Sequence, residues 1–213
     1  MMKFQLPQLP YSYDALEPYF DTETMRIHHT KHHQGYTDKL NKAIEGTKLS
    51  NEPIEHILRE VSKHSISLRN NAGGYFNHRL FWNILSPNGG GEPEKGSEIQ
   101  KAIAQKYSDF DNFKKSFKEM AMNRFGSGWA WFSLYEPTND LFISSTPNQD
   151  NPLMDDLVEF PGIPVLGLDL WEHAYYLKFQ NRRADYIDAF FQLVDWKTVE
   201  RNLETARRVA SMA

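Results

Sequence analysis

The sequence predicts an α+β protein with a helical N-terminal domain and a C-terminal domain in which helices flank a small three-stranded antiparallel sheet. Between residues 21 and 85, apolar residues recur with the period of a helix. Residues 86–93 read Ser-Pro-Asn-Gly-Gly-Gly-Glu-Pro, the strongest break in the chain. Strand-like apolar runs appear only beyond this break. We therefore predict an N-terminal helical domain over 1–91 and a C-terminal α/β domain over 92–213.

The N-terminal half is predicted to begin with an extended, packed arm over residues 1–20, which carry three prolines. A helix then runs over 22–45, and Gly46 ends it because glycine readily adopts the left-handed conformation found after a helix C-terminus. Pro53 suits a first helical turn and starts a second helix. Its apolar positions fit the helical period and are Ile54, Ile57, Leu58, Val61 and Ile66. A third helix is predicted over 71–85.

The C-terminal half begins with two predicted helices. Ser97 and Gln100 form a capping box for the first, and the second carries Phe110, Phe113 and Phe117 on one face. Strands are predicted at 129–135, 141–145 and 163–168, and the first two are joined by a hairpin loop over 136–140. Further helices are predicted at about 171–180, 184–193 and 195–209.

Composition excludes several classes of function. The 213 residues carry a net charge of −4, which gives no general attraction to nucleic acid or to anionic membranes. The absence of cysteine excludes thiolate metal sites, iron–sulfur clusters and disulfides. The first residues lack the apolar core of a secretory signal. We therefore expect a cytoplasmic protein, although a mature mitochondrial chain would look the same.

Two short segments hold five of the eight histidines. One reads His28-His-Thr-Lys-His-His33-Gln-Gly-Tyr36, and the other reads Asp169-Leu-Trp-Glu-His173. If the second segment begins as a strand and turns into a helix, Asp169 and His173 can converge on one point. Imidazole nitrogens with one carboxylate oxygen suit iron, manganese or zinc. The two segments are therefore candidates for a metal site.

Each of these signals has an ordinary alternative. On a helix, residues four apart share a face, so His28 and His32 form one stripe, and His29 and His33 form its neighbour. Such a face is also typical of a solvated surface. His78 lies among aromatic residues, where a lone histidine is more often a hydrogen-bonded core residue, and an aspartate at a strand–helix junction often only caps the helix. The combination of three distant segments from both domains favours a shared site at their interface.

The most distinctive stretches are Leu9-Pro-Tyr-Ser-Tyr-Asp-Ala-Leu-Glu-Pro18, His28-His-Thr-Lys-His-His33 with Tyr36, Asn77-His78 with Phe81-Trp82, Ser86-Pro-Asn-Gly-Gly-Gly91, Gly128-Trp-Ala-Trp131 and Asp169-Leu-Trp-Glu-His-Ala-Tyr-Tyr176. In these stretches, which span nearly its whole length, the chain resembles the iron/manganese superoxide dismutases. The resemblance implies a helical hairpin as the N-terminal domain and dismutation of superoxide as the activity. It also implies a metal bound by His28, His78, Asp169 and His173, a choice among the histidines that helix spacing does not make.

The resemblance also bears on the identity of the metal. Iron-type members tend to carry a glutamine four residues before the second ligand histidine, where this chain has Gly74. Manganese-type members bring a glutamine from the sheet region, which here is Gln149. Gly73, Phe81 and Asp150 also match the manganese type. The resemblance therefore implies one manganese ion per subunit, with iron as the alternative, and a small residue at 74 is expected to leave room for the Gln149 side chain.

Further residues receive roles from the resemblance alone. Gln149 is expected to tune the metal's solvent ligand, and Tyr36 and His32 are expected to gate the site and relay protons. Either Trp131 or Trp171 is expected beside the pocket, where plain packing is the alternative role. Because superoxide is an anion and the chain is net negative, steering must be local, and the candidates are Lys31 and Arg183.

The resemblance finally implies a homodimer, or a tetramer built from such dimers. Glu172 is expected to hydrogen-bond His173 of the partner subunit, and Tyr176 is expected to reach His32 of the partner subunit. An alternative role for Glu172 is a first-turn carboxylate that interacts with the helix dipole.

Two other functions remain to be weighed against a dismutase. A zinc or di-metal hydrolase needs a general-base carboxylate beside the metal, as in His-Glu-x-x-His, and the sequence has no such motif. A metal store or histidine-mediated binding module would hold exchangeable metal without redox turnover. Metal content measured together with superoxide consumption separates all three.

Overall fold

The computed structural model describes residues 4–212, so the first three residues of the predicted arm and the last residue of the predicted C-terminal domain lie outside the described residues. Residues 13–19 of the arm form successive turns. Leu16 and Phe20 of the arm are buried. The arm is therefore packed against the protein, as predicted, but it is only partly extended.

The middle of the first long helix differs from the prediction. It consists of α1 (Thr22–Ile27), a π-helical segment (His28–His33) and α2 (Gln34–Ile44). A π-helix bonds residues five apart and occurs often at functional sites. The prediction of one regular helix over 22–45 was therefore wrong in its middle, where α-helical spacing does not apply.

The second and third helices divide at a different residue from the one predicted. Helix α3 spans only Ile54–Arg59, and a 3₁₀ turn over Val61–Lys63 follows it. The Ser65 hydroxyl accepts a first-turn backbone N–H at 3.2 Å, so α4 begins at once and spans Ile66–Asn83. Ile66 therefore belongs to α4, where its side chain is exposed, and its assignment to the second helix was wrong because the serine cap outweighed the apolar period.

Beyond the break come the remaining helices of the described residues. Helices α5 to α9 span Glu98–Tyr107, Phe110–Asn123, Tyr176–Phe179, Arg183–Phe191 and Trp196–Ala210. Short 3₁₀ turns lie at Lys48–Asn51, Asp155–Leu157 and Glu172–Ala174. The helix predicted at 171–180 is therefore a 3₁₀ turn followed by the single turn of α7. Across residues 4–212, no helix combines the length and the apolar character needed to cross a membrane.

The predicted sheet is confirmed. Its strands are β1 (Gly128–Tyr135), β2 (Asp140–Pro147) and β3 (Ile163–Asp169), arranged in the antiparallel order β2-β1-β3. Pro164 lies where the β1–β3 register shifts, as expected for a residue without a backbone N–H. All residues of β1 except the last are buried, so the central strand is covered on both faces.

Helix α4 connects the helical region with the sheet. One apolar cluster surrounds the sheet and includes Phe81 and Trp82 of α4. A second lies among the N-terminal helices and includes Ala72 and Phe76 of α4. Helix α4 therefore contributes to both cores, and its inward face lies between the histidine segment and the end of β3.

Candidate metal centre

Four side chains from distant parts of the sequence meet beside α4. His28 opens the π-helical segment, and His78 lies in α4. Asp169 is the last residue of β3, where it pairs with Trp129 of β1. His173 follows in the 3₁₀ turn. Asp169 and His173 converge as expected, although the strand turns into a 3₁₀ turn rather than into the predicted helix.

The donor atoms of these side chains converge on one carboxylate oxygen. Asp169 Oδ2 lies 3.0 Å from His28 Nε2, 3.2 Å from His173 Nε2 and 3.5 Å from His78 Nε2. All four donor atoms lie within 4.8 Å of one another. The side chains of His28, His78 and Asp169 are fully buried, and the side chain of His173 is 12% exposed. This is the spacing expected of ligands around a single cation.

The hydrogen bonds of His78 and Asp169 to the backbone leave lone pairs for such a cation. The Nδ1–H of His78 donates to the Gly74 carbonyl at 2.6 Å, which fixes its tautomer and leaves Nε2 unprotonated. That Nε2 atom is buried and has no hydrogen-bond partner among the described residues. Asp169 Oδ1 accepts the Trp171 backbone N–H at 2.9 Å, so Oδ2 faces the imidazoles. An orphaned imidazole nitrogen beside a buried carboxylate fits a metal ion.

Burial sets the protonation states that metal ligation requires. It lowers the pKa of His28 to about 4, although the hydrogen bond to Asp169 opposes this shift. Burial also holds the pKa of His78 well below its usual value. For Asp169, burial alone would raise the pKa, but His173 and His28 outweigh it and keep the carboxyl ionised. Neutral imidazoles with one carboxylate are the ligand forms that bind metals.

The other two buried histidines of the segment use both ring nitrogens elsewhere. His29 Nε2 donates to the Pro7 carbonyl at 2.8 Å, and its Nδ1 accepts from the Tyr13 hydroxyl at 3.0 Å. His33 Nε2 donates to the Tyr75 carbonyl at 3.1 Å, and its Nδ1 accepts from the Trp82 indole at 3.0 Å. Of the buried histidines, only His28 therefore turns toward the Asp169 carboxylate from this segment.

Gln149 is held in a fixed orientation by residues that border this cluster, among them Tyr36 and Trp129, whose rings lie next to His78. Its Oε1 accepts from Asn77 Nδ2 at 3.1 Å and from the Trp129 indole at 3.0 Å. Its Nε2 donates to the Tyr36 hydroxyl at 3.1 Å. Because an indole N–H only donates, the amide cannot be flipped. Sequence reasoning gave Asn77 and Trp129 no role, although both lie in stretches that carry the family resemblance.

The two glycines of α4 each lie against a neighbouring segment. A Cβ at Gly74 would first meet the Tyr36 ring, at 2.4 Å. A Cβ at Gly73 would lie 2.1 Å from the Gln149 carbonyl oxygen. Gly74 therefore makes room first for the Tyr36 ring, whose hydroxyl accepts from Gln149 Nε2, and Gly73 makes room for the Gln149 backbone. The expectation that Gly74 leaves room for the Gln149 side chain stays a prediction.

Aromatic rings close the remaining sides of the cluster. The Tyr36 ring lies 5.2 Å from that of His78, and the His32 ring stacks on His173 at 4.0 Å. Burial raises the pKa of Tyr36 to about 12 and lowers that of His32 to about 4. Trp171 stacks on His173 at 5.5 Å, whereas the indole N–H of Trp131 donates to Thr146. Of the two tryptophans predicted near the pocket, Trp171 is therefore the one in contact.

The remaining predicted residues are exposed or only partly buried. Glu172, Tyr176 and Lys31 are exposed in the single chain. Arg183 donates to the Arg124 carbonyl at 2.8 Å, so part of its guanidinium is already hydrogen-bonded to the backbone. Within the described chain, no hydrogen bond, ion pair or ring contact joins the Glu172 or Tyr176 side chain to the four-residue cluster.

Three imidazoles and one carboxylate, buried between a helical hairpin and a three-stranded sheet, define a mononuclear metalloprotein. Sequence models of two domains match this chain: the alpha-hairpin domain of the iron/manganese superoxide dismutases over residues 3–86, and the C-terminal domain of the same proteins over residues 94–202. The chain belongs to the iron/manganese superoxide dismutase family.

Similar proteins cover almost the whole chain. A manganese superoxide dismutase of Pseudomonas putida is 52% identical over 204 residues, which are 94% of this chain and 97% of the relative. One of Pseudomonas aeruginosa is 48% identical over 209 residues, 96% of this chain and 99% of the relative. A Mn/Fe superoxide dismutase of Methylomonas sp. strain J is 50% identical over 207 residues, 95% of this chain and 98% of the relative.

Proposed function

We propose that this protein is a superoxide dismutase, which converts two superoxide anions and two protons into oxygen and hydrogen peroxide. The observation that carries this proposal is the buried cluster of three imidazoles around Asp169 Oδ2, in a chain of this family. We propose His28, His78, Asp169 and His173 as the ligands of one metal ion per chain. Bound there, manganese would supply one-electron chemistry between its +3 and +2 states, which zinc lacks.

The residues around the cluster have separate tasks in this reaction. Gln149 presents an amide whose orientation is fixed by Asn77 and Trp129. Tyr36 holds a proton at its hydroxyl, because its raised pKa of about 12 keeps it neutral. Peroxide formation consumes protons, and Tyr36 with His32 forms the proposed entrance and relay. Lys31 and Arg183 are the proposed local attraction for the superoxide anion.

Manganese is the proposed working metal, with iron as the alternative. The chain has Gly74 where iron-type members tend to carry glutamine, and it has Gln149 beside the cluster. Two of the relatives described above are named manganese enzymes and one is named Mn/Fe. Imidazole and carboxylate ligands accept either metal, so the choice depends on the residues around the ligands.

We further propose a homodimer, or a tetramer of such dimers, in the cytoplasm. The support for assembly is the exposure of Glu172 and Tyr176 next to His173, together with the almost complete exposure of Phe125. Glu172 is proposed to bond His173 of the partner subunit, and Tyr176 is proposed to bond His32 of the partner subunit. The division into domains at 1–91 and 92–213 also remains a proposal.

Glu172→Ala tests the proposed bridge between subunits. We expect it to lower metal retention by ~10–100-fold, because a carboxylate that bonds a ligand imidazole orients it and raises its basicity. The same variant should shift sedimentation equilibrium toward monomer, because one hydrogen bond serves both properties. Glu204→Ala is the matched control, since Glu204 is an exposed carboxylate on α9. A Glu172→Ala protein that stays dimeric with full metal would leave Glu172 as a helix-dipole residue only.

Elemental analysis of the purified chain, combined with a superoxide-consumption assay, tests the function itself. A dismutase holds one manganese or iron ion per chain and consumes superoxide catalytically. A zinc hydrolase would hold zinc and leave superoxide unchanged, and a metal store would hold exchangeable metal without turnover.

A further inference from the structure

We propose that Arg69 is a positioning residue, which fixes the amide of Gln149 beside the metal cluster by clamping the next residue, Asp150. This inference rests on the proposed function, because its consequence is a change in the reduction potential of the bound metal. Within the described chain, Arg69 forms no hydrogen bond or ion pair with the four proposed ligands. Its effect must therefore pass through the segment that carries Gln149.

The clamp is a forked ion pair. Arg69 Nε donates to Asp150 Oδ1 at 2.7 Å, and Arg69 Nη2 donates to Oδ2 at 2.5 Å. The side chain of Asp150 is only 3% exposed, whereas that of Arg69 is 29% exposed. A buried carboxylate without a partner is strongly unfavourable, and a two-pronged guanidinium pair fixes direction as well as position. Arg69 therefore holds Asp150 in one place.

Helix α4 contacts the Gln149 segment at three positions spaced four residues apart. Arg69 binds Asp150, as described above. Gly73, one turn on, leaves room for the Gln149 carbonyl, which would lie 2.1 Å from a Cβ at that position. Asn77, a turn further, donates to the same carbonyl at 3.0 Å. Residues at this spacing lie on one face of a helix, so the segment lies along a single stripe of α4.

Further contacts fix the backbone on both sides of Gln149. Asn148, directly before Gln149, has a φ of +53°, a left-handed turn conformation that asparagine tolerates, and its backbone N–H donates to the Ser127 carbonyl at 2.9 Å. On the other side, the Asp150 carbonyl accepts from the Thr146 hydroxyl at 2.6 Å, and Thr146 accepts from the Trp131 indole at 2.7 Å. Loss of the clamp should therefore loosen a connected group of hydrogen bonds around Gln149.

A loosened Gln149 would change the metal's electrostatic surroundings. Its Oε1 has two buried donors, so the orientation of its N–H groups depends on the position of the segment. N–H groups fixed near a metal favour anionic ligands beside it, and hence the higher oxidation state. Without the clamp, the lower oxidation state should gain stability.

The first test follows the hydrogen bond from the Trp129 indole to Gln149 and needs no catalytic turnover. In Arg69→Gln, the Trp129 indole N–H, whose acceptor is Gln149, should exchange with solvent about tenfold faster. NMR of the full chain, without metal and again loaded with diamagnetic zinc, gives this rate. The Trp82 indole, which donates to His33, should keep its rate and is the internal reference. Equal changes at both indoles would indicate general destabilisation and overturn the proposal.

The matched control is Arg79→Gln. Arg79 lies on the same helix with similar exposure, and it pairs with Glu55 of α3 rather than with the Gln149 segment. Its removal should leave the Trp129 rate unchanged. Arg69→Lys keeps the charge without the fork and should restore the rate only in part. Asp150→Asn removes the carboxylate of the same ion pair, so the proposal remains testable if Arg69→Gln does not fold. Unchanged exchange of the Trp129 indole in Asp150→Asn would contradict the proposal.

The second test is the reduction potential of the manganese form. Arg69→Gln should change the ratio of oxidised to reduced centre by about tenfold in favour of reduced, a rise of about 59 mV for one electron. Arg79→Gln should match the wild type, and a potential unchanged in Arg69→Gln would overturn the proposed consequence. If the wild-type protein binds manganese but does not consume superoxide, the proposed function fails, whereas the indole exchange still decides whether Arg69 positions Gln149.

Discussion

Replacing His28 with alanine is expected to abolish stoichiometric metal binding, and superoxide consumption with it. The variant loses one of the three imidazoles that face Asp169 Oδ2. The buried Asp169 carboxylate thereby loses its contact with the His28 ring. Breaking the environment of a buried charge in this way is strongly destabilising. Elemental analysis after dialysis against a chelator, followed by the superoxide assay, measures both losses.

The adjacent histidine provides the control. His29→Ala removes a buried imidazole whose hydrogen bonds go to Pro7 and Tyr13. It should lower the free energy of unfolding by roughly 1–3 kcal/mol, because buried groups lose their partners. It should still bind one metal ion per chain. Stoichiometric metal in His28→Ala, or its loss from a folded His29→Ala, would show that the ligands are assigned wrongly.

Gly73→Ala should produce the second large effect. The new Cβ would lie 2.1 Å from the Gln149 carbonyl oxygen and 2.9 Å from the Met154 methyl group, so the segment that carries Gln149 must move. Overpacking of this kind typically costs ~1–3 kcal/mol and occasionally more. Because Gln149 is displaced as well, activity per bound metal should fall by about tenfold or more. Urea unfolding and metal-normalised activity measure the two effects.

Gly35→Ala is the matched control for this substitution. Gly35 lies in α2, and no atom comes within 4 Å of its Cβ position. Alanine should therefore stabilise the protein by roughly 0.5–1 kcal/mol through helix propensity. If Gly73→Ala were as stable as Gly35→Ala, close packing of α4 against Gln149 would be refuted.

The general architecture of the fold could be predicted from the sequence, and the errors lie where local signals compete. Short apolar runs rich in aromatic and branched residues are sufficient to predict the three strands. The π-helical segment leaves no mark in apolar periodicity, because it changes hydrogen bonding without changing composition. Ser65 shows the opposite case: its cap was visible in the sequence, but the apolar pattern through Ile66 concealed it.

The candidate site could be predicted only in part from residue types. Adjacent histidines look alike in sequence, and what separates His28 from His29 is a set of contacts with distant segments. The family resemblance supplied a choice that spacing could not make. Asn77 and Trp129 were missed because their role depends on Gln149, which lies 72 and 20 residues from them in the sequence.

Reconstitution of the metal-free chain with manganese or with iron tests the central claim most directly. Metal content and superoxide consumption are measured on the same samples. We predict one ion per chain in each case and higher activity per bound ion for manganese, because Gly74 and Gln149 match the manganese type. Equal activities would contradict the choice of manganese, and a chain that holds one manganese ion but does not consume superoxide would contradict the proposed function.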